Sequence, residues 1–303
     1  MAFTAADVKN LREMTGVGMM DCKKALAASD GDMDKAVEYL REKGLAASAK
    51  KAGRIAAEGM AYAAVINGQG VVVEVNAETD FVGKNEKFVD FVKGVAATVA
   101  ACAPADLDAL MECKYNGTNL TVTQQQQEMV LVIGENIKVR RFARFVDGVS
   151  VPYIHAGGKI GVLVNLEVTG GIDATEVGKD LAMQIAALNP RFLDKSQVTQ
   201  EVLDEEKKIL MAQMANDPKM ANKPDQVKEK IVMGKLNKFY AENCLLQQAF
   251  VKDGDVTVEQ HMNAAAKKLG GAIILKDAVR FEKGEGIEKK QENFAEEIAK
   301  LTQ

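Results

Sequence analysis

The sequence predicts an α+β fold, in which a small bundle of helices precedes a core of short antiparallel sheets and helices. Helical periodicity occupies residues 1–44 of the 303-residue chain. Two strand–turn–strand signals follow, centred on Asn67-Gly68 and Gly157-Gly158. Each is followed by a long apolar helical pattern that stops at a proline, Pro104 or Pro190. Separate runs of helices and antiparallel strands are typical of the α+β class.

The first 44 residues are predicted to form three short helices. Thr4 or Asp7 can cap the first helix, and Asp21 is expected to cap the second. The third is expected to open at Asp30-Gly31-Asp32, with Gly44 as its stop signal. A bundle of this size is small but feasible.

Residues 45–59 are rich in Ala and Lys and lack a wide apolar face, which predicts a linker with some helix. The core is then expected to have a first half, residues 60–150, and a second half, residues 151–196. The sequence from Gly70 to Val75 resembles that from Gly161 to Leu166. Each half therefore reads as a hairpin, a loop, a helix and a proline, which indicates a duplication.

The first copy holds five more residues between its strand and its proline than the second copy. We assign this excess to the segment from Glu78 to Lys84, because loops elaborated on a repeated scaffold often carry function. Residues 197–241 are predicted to form an antiparallel helical hairpin, since a Pro-containing polar break divides two helical patterns. Residues 242–303 are expected to return to the core and form a C-terminal module, with a strand at Ala272–Phe281 and a closing helix to Leu301.

Composition excludes several classes of function. The net charge is −4 and the chain has no Trp, which argues against general nucleic-acid binding. No phosphate-binding loop, nucleophile elbow or metal-ligand spacing is present, so we expect neither an enzyme nor a bound metal or cofactor. The four scattered cysteines are interpreted as reduced thiols. With no signal peptide and no candidate membrane span, a cytoplasmic protein without a membrane partner is expected.

The loop that carries Asp80 and Phe81 is open to two interpretations. Thr79 or Asp80 could cap the following helix while Phe81 staples it to the core. Alternatively, the carboxylate and the aromatic ring face outward to a partner, and spacing does not choose between the two. Met19 and Met20 are similarly either bundle core or an adaptable protein-binding surface.

Several motifs resemble one known family. The run from Leu11 to Leu26, LREMTGVGMMDCKKAL, resembles the N-terminal signature of bacterial translation elongation factor Ts, and Thr79-Asp80-Phe81-Val82 resembles its T-D-F-V motif. Ile133-Gly134-Glu135-Asn136, Tyr153-Ile154-His155, Ile160–Val164 and Arg280–Glu288 also match, in the family's order. The resemblance covers essentially the whole chain and is weakest at residues 105–130 and 215–225.

The resemblance implies a guanine-nucleotide exchange factor for elongation factor Tu. It implies an N-terminal domain similar to ubiquitin-associated domains, a two-part α+β core, a projecting helical hairpin and a C-terminal module. The Asp80-Phe81 loop is then expected to insert near the Mg²⁺ site of elongation factor Tu. The residues expected to bind that partner are Met19, Met20, Thr79, Asp80, Phe81, Val82, Ile133, Gly134, Glu135, Asn136 and His155.

Two alternatives from other classes remain at this stage. One is a scaffold or chaperone-like protein that binds without promoting exchange, and the other is an RNA-associated accessory factor. The speed of GDP release from elongation factor Tu separates the first from an exchange factor. Salt-sensitive RNA binding would favour the second.

Overall fold

The computed structural model describes residues 3–217 and 224–288, which form an N-terminal bundle, two packed sheets with helices outside them, and a helical hairpin. The bundle helices are α1 (Ala5–Thr15), α2 (Met19–Ala28) and α3 (Met33–Lys51). The first sheet and its helices are β1 (Glu58–Ile66), β2 (Gln69–Ala77), α4 (Glu86–Cys102), α5 (Leu107–Glu112), α6 (Val122–Ile133) and β3 (Lys138–Phe145).

The second half begins with a hairpin and ends with a strand that returns to it. Its elements are β4 (Val149–His155), β5 (Ile160–Thr169), α7 (Thr175–Leu188), α8 (Gln200–Asn216), α9 (Asp225–Asn243), β6 (Ala249–Phe250), β7 (Asp253–Thr257), α10 (Val258–Leu269) and β8 (Ala272–Glu282). The α+β class is confirmed. The predicted closing helix to Leu301 lies outside the described residues.

Two expectations for the bundle are wrong in detail. Thr4 and Asp7 cap α1 together, but α2 begins at Met19 after Gly18, so Asp21 lies in its first turn and is not its cap. Helix α3 continues through Gly44 to Lys51. Gly44 is instead a close-packing residue, because a Cβ there would lie only 3.3 Å from the carbonyl oxygen of Gln127 on α6.

The core has four layers, since the two sheets pack face to face with helices outside them. The first sheet has the strand order β1-β2-β3 and the second β4-β5-β8, both antiparallel in the described part of the chain. Strand β2 alternates accordingly: Val71 and Val73 pack towards α4, while Val72 packs with Leu163 and Phe281 of the second sheet. This two-sided burial explains the continuous valine run in β2.

The duplication is visible in the irregularities of the two sheets. A register shift lies between Glu74 and Val75 on β2, and another lies between Asn165 and Leu166 on β5. The two register shifts are as far apart in the chain as the two repeated sequences, Gly70–Val75 and Gly161–Leu166. The helix before the last strand of each sheet, α6 or α10, also begins with a Thr–Gln capping box and ends at a left-handed glycine.

A disulfide joins Cys102 at the end of α4 to Cys113, which follows α5. The expectation that all four cysteines are reduced is therefore wrong for this pair. The chain turns back after α4, so that α5 lies against it. The Cα atoms of the two cysteines are then 6.4 Å apart, within the range that a disulfide spans. Cys22 and Cys244 are free and buried.

The hairpin helices α8 and α9 meet through a small apolar seam that includes Leu210, Met214 and Val232. The sequence predicts the tip of this hairpin near residues 215–225, and its residues 218–223 lie outside the described residues. Among the residues that the structure describes, no helix is long and apolar enough to cross a membrane.

Candidate functional site

The connection between β2 and α4 presents an aromatic side chain to solvent. Phe81 is 81% exposed, whereas its neighbour Val82 is buried at the start of a 3-10 turn. Asp80 is also exposed. Helix α4 is capped by Asn85, whose Oδ1 accepts from the N–H of Lys87 at 3.0 Å. Neither Thr79 nor Asp80 caps the helix and Phe81 does not staple it, so the capping interpretation is wrong.

Two segments singled out in the sequence lie side by side here. The Glu135 carboxylate accepts hydrogen bonds from the N–H of Thr79 at 3.0 Å and from its hydroxyl at 2.6 Å. In the other direction, Glu78 Oε1 accepts the N–H of Asn136 at 2.6 Å. The side-chain amide of Asn136 donates to the carbonyl of Arg54 at 2.8 Å. Each segment therefore holds the other through one glutamate.

The α6–β3 junction thus supplies support as well as surface. Gly134 ends α6 in a left-handed conformation with φ +87°, and it is exposed. Ile133 packs against the hydrophobic core of the first half, and Asn136 is buried. Val82 and Asn136 are therefore buried in the free chain. They differ in this from the exposed residues of the predicted partner-binding set.

His155 lies at the end of β4, near the same end of the first sheet as the Phe81 loop. Its Nδ1 is 3.2 Å from the Tyr153 hydroxyl, and the imidazole is exposed. The turn that follows approaches β1 closely, because a Cβ on Gly158 would lie 2.5 Å from Cγ of Met60. The Phe81 loop also approaches β1 closely, because a Cβ on Gly83 would lie 2.8 Å from the carbonyl oxygen of Gly59. Both segments therefore border the start of β1.

The N-terminal bundle presents a second apolar surface. Met19 is 53% exposed and Met20 is 63% exposed, so the alternative that they form bundle core is wrong. The glycine turn before them is held against α4, since Lys87 Nζ donates to the carbonyl of Gly16 at 3.0 Å. Lys87 lies in the first turn of α4, shortly after Phe81. The structure thereby connects the Met19–Met20 turn to the helix that follows the exposed loop.

A buried ionic cluster joins the two halves of the core. Glu74 is fully buried and accepts from Arg140 at 2.9 Å, from Arg141, and from the N–H of Gly284 at 2.8 Å. Burial by itself raises the pKa of Glu74, but these donors and Asn76 together hold it below its ordinary value. The cluster pins the turn after β8 to the first sheet, which is a structural role.

The Cys22 thiol is a reactive group that lies buried in the N-terminal bundle. Burial raises the pKa of the Cys22 thiol more than its hydrogen bond with Thr15 lowers it, so this thiol is not an activated nucleophile. Within residues 3–217 and 224–288, no group of three or more His, Cys, Asp or Glu side chains is arranged to hold a metal ion. The exposed loop offers a carboxylate and a phenyl ring for noncovalent contact, and both are carried on an anchored backbone.

Comparison with known proteins agrees with these motifs. A family model described as elongation factor TS matches residues 78–285. An elongation factor Ts from Trichlorobacter lovleyi is 51% identical over 99% of this chain and 98% of its own length. Those from Syntrophotalea carbinolica and Clostridium perfringens strain SM101 are 46% and 50% identical, over 100% and 98% of both chains. The chain belongs to the elongation factor Ts family.

Within this elongation factor Ts fold, the structure adds residues that the sequence analysis missed. Glu78 was grouped with the loop, yet its carboxylate binds Asn136 and lies 3.5 Å from Nη1 of Arg54. Lys87 carries the contact to Gly16. No local sequence signal indicates these contacts, because their partners lie 58 and 71 positions apart in the chain.

Proposed function

We propose that this chain binds elongation factor Tu in its GDP form and promotes GDP release. The nucleotide-free partner would then be held until GTP binds. Membership of the elongation factor Ts family supports this, and the observation that carries it is Phe81, a largely exposed aromatic ring on an anchored loop. No catalytic group is required, because the action is one of binding. The activity belongs to the cytoplasm, where translation elongation takes place.

Linkage explains how binding alone accelerates release. A factor that binds nucleotide-free elongation factor Tu more tightly than the GDP form must weaken GDP by the same ratio. Mg²⁺ bridges the phosphates and the protein in such GTPases and contributes to nucleotide binding. A ring that packs only in the nucleotide-free form would contribute about 1.5–3 kcal/mol to that difference. The exposure of Phe81 in the free chain makes this burial available on binding.

Asp80 provides a charge beside that ring. Its carboxylate is exposed, and the described part of the chain gives it no side-chain hydrogen bond or ion pair. An unengaged carboxylate inserted near a divalent cation competes with the ligands that hold the metal. We assign to Asp80 the disturbance of the partner's Mg²⁺ site, and to Phe81 the packing that keeps the loop there.

Met19 and Met20 would supply a separate docking contact. Thioether side chains adapt to irregular apolar surfaces, and both side chains are more than half exposed at the start of α2. His155 and Gly134 lie at or near the end of the core that carries Phe81 and are exposed as well. The proposal therefore divides the surface into a docking part on the bundle and an acting part on the first half of the core.

The test is the rate at which labelled GDP leaves elongation factor Tu when this chain is added. We expect strong acceleration by the intact chain and a reduced one by Asp80→Ala. The Asp80→Ala deficit should shrink when Mg²⁺ is chelated, because the assigned role of Asp80 acts through the metal. Asp108→Ala, which removes an exposed carboxylate on α5, is the matched control and should behave as the intact chain.

Other outcomes identify the alternatives. A stable complex with elongation factor Tu at an unchanged GDP release rate would identify a non-exchanging scaffold and contradict the proposal. An Asp80→Ala deficit that persists in full without Mg²⁺ would contradict the role given to Asp80, while leaving exchange itself intact.

A further inference from the structure

We propose that Glu135 is a positioning residue for the Phe81 loop, which acts by holding Thr79 and not by touching the partner. The inference about loop order concerns the free chain alone. Its consequence for GDP release rests on the proposed function. The two parts are tested by separate measurements.

The geometry at Thr79 is that of a two-point anchor. One carboxylate oxygen of Glu135 accepts the backbone N–H of Thr79 at 3.0 Å, and the other accepts its hydroxyl at 2.6 Å. Hydrogen bonds to an ionised acceptor are shorter and stronger than neutral ones. Since both oxygens of Glu135 are engaged by the same residue, the anchor fixes the backbone direction two residues before Phe81.

An exposed phenyl ring needs such a restraint. Packing of Phe81 against a nearby apolar surface of its own chain would be favourable, so in an unrestrained loop the ring would become buried. The ring nevertheless stays 81% exposed while the next residue, Val82, is buried. Anchors on both sides of Phe81, at Thr79 and at Val82, are what hold the ring outward.

The anchor is itself fixed by the end of α6. Glu135 follows Gly134, the left-handed glycine at which α6 stops. The bundle packs on the same helix, since Nε of Arg41 on α3 lies 3.5 Å from Oε1 of Glu128 on α6. The structure therefore sets the position of the Phe81 loop relative to the bundle that carries Met19 and Met20, through α6 and Glu135.

The first measurement is hydrogen exchange at the backbone N–H of Thr79 in the free chain. We expect Glu135→Ala to speed this exchange by about tenfold or more, because a hydrogen bond to a charged acceptor is lost. The chain contains no Trp, so Phe81→Trp provides a single fluorescent reporter on the loop. In that background Glu135→Ala should lower the fluorescence anisotropy of the reporter.

The second measurement is GDP release from elongation factor Tu at saturating concentrations of each variant. Glu135→Ala should slow release about tenfold, as the loop spends less time in its competent position. Thr79→Val removes only the hydroxyl and should give a smaller deficit, whereas Thr79→Ser keeps both donors and should restore release. In the double variant Glu135→Ala/Thr79→Val the deficits should not add, because both changes remove the same contact.

Glu176→Ala is the matched control, since Glu176 is a highly exposed glutamate on α7, the counterpart of α4. It should change neither measurement. If Glu135→Ala does not fold, Thr79→Val and Thr79→Ser carry the same test with a smaller change.

The outcomes are separable. Unchanged exchange at Thr79 together with slowed GDP release would mean that Glu135 contacts the partner directly, and would overturn the positioning role. Faster exchange at Thr79 with unchanged release would overturn it as well, because loop order would not matter for the reaction. If Phe81→Ala itself leaves release unchanged, the proposed function fails at Phe81, while the loop-order result for Glu135 still stands.

Discussion

The two halves of the core use the same scaffold but treat the strand-to-helix connection differently. In the first half, residues 78–85 expose Phe81 and are tied to the α6–β3 junction. In the second half, the shorter connection of residues 170–174 ends in a local turn: Asp173 accepts from the N–H and hydroxyl of Thr175, and Ala174 is buried. The repeated architecture thus carries two different connections, and the first presents an exposed aromatic ring that the second, Gly-Gly-Ile-Asp-Ala, does not contain.

The difference in length is shared between the connection and the helix. The sequence assigned all five extra residues of the first repeat to the loop, and that assignment is wrong in part. Helix α4 has 17 residues and α7 has 14, so some of the excess lengthens the helix. The longer α4 reaches Cys102 and its disulfide, a feature without a counterpart in the described second half.

A large loss of stability is expected at the bulge position of the first half, Glu74, and a smaller one at Asn165 in the second. Glu74→Gln should cost about 3 kcal/mol of unfolding free energy, the low end for a broken buried pair, because Arg140 and Arg141 keep some access to water. Asn165→Ala should cost less, since one of its polar atoms already lacks a partner in the described residues. Denaturant unfolding of both variants measures the contrast, and equal losses would contradict it.

The same glutamate predicts a pH dependence. Because the folded chain holds the pKa of Glu74 below its ordinary value of 4.5, the ionised form contributes stability at pH values above 4.5. That contribution is lost as the pH falls from 4.5 through the lower folded pKa. The unfolding free energy of Glu74→Gln should therefore fall less steeply than that of the intact chain in this acidic window.

A slightly smaller effect is expected from the disulfide. Replacing Cys102 by Ser should lower the unfolding free energy by about 2–3 kcal/mol, as a loop of this length is released in the unfolded chain. Reductant should destabilise the intact chain to a similar extent and leave Cys102→Ser unaffected. Insensitivity of the intact chain to reductant would mean that the bond contributes nothing to stability.

Phe81 and Phe88 provide a contrast between exposure and burial within one segment. Phe81→Ala should slow GDP release by about 30-fold, equivalent to about 2 kcal/mol of packing made only in the complex, with an unchanged melting temperature. Phe88 is fully buried, so Phe88→Ala should cost about 3–5 kcal/mol of stability. Val65→Ala, at the other end of β1, controls for an exposed apolar side chain. Destabilisation by Phe81→Ala with normal GDP release per folded molecule would refute the packing role assigned to Phe81.

The smallest expected effect concerns the cap of α4. Asn85→Ala should cost about 1 kcal/mol, because the N–H groups of Lys87 and Phe88 lose their acceptor. GDP release should change far less than with Phe81→Ala. A release defect as large as that of Phe81→Ala would show that the start of the helix, and not the ring, is the acting element.

Much of the fold followed from local signals. The hairpin at Asn67-Gly68, the helix that stops before Pro104, and the start of α3 at Asp32 lie where turn and capping chemistry predicted them. Gly44 shows the limit of such signals. A glycine at the end of an apolar pattern usually stops a helix, but here it allows α6 to approach, and nothing local to residue 44 distinguishes the two.

For the candidate site, the sequence by itself determined which residues to consider, because motif and repeat comparison single out Asp80, Phe81 and the segment at Glu135. It did not determine their roles. Capping by Asn85 is local, but the bond from Thr79 to Glu135, which holds the exposed Phe81 loop, joins residues 56 positions apart in the chain. Contacts at that separation are fixed by how sheets and helices pack, so only the tertiary structure decided which side chains face solvent and which hold them there.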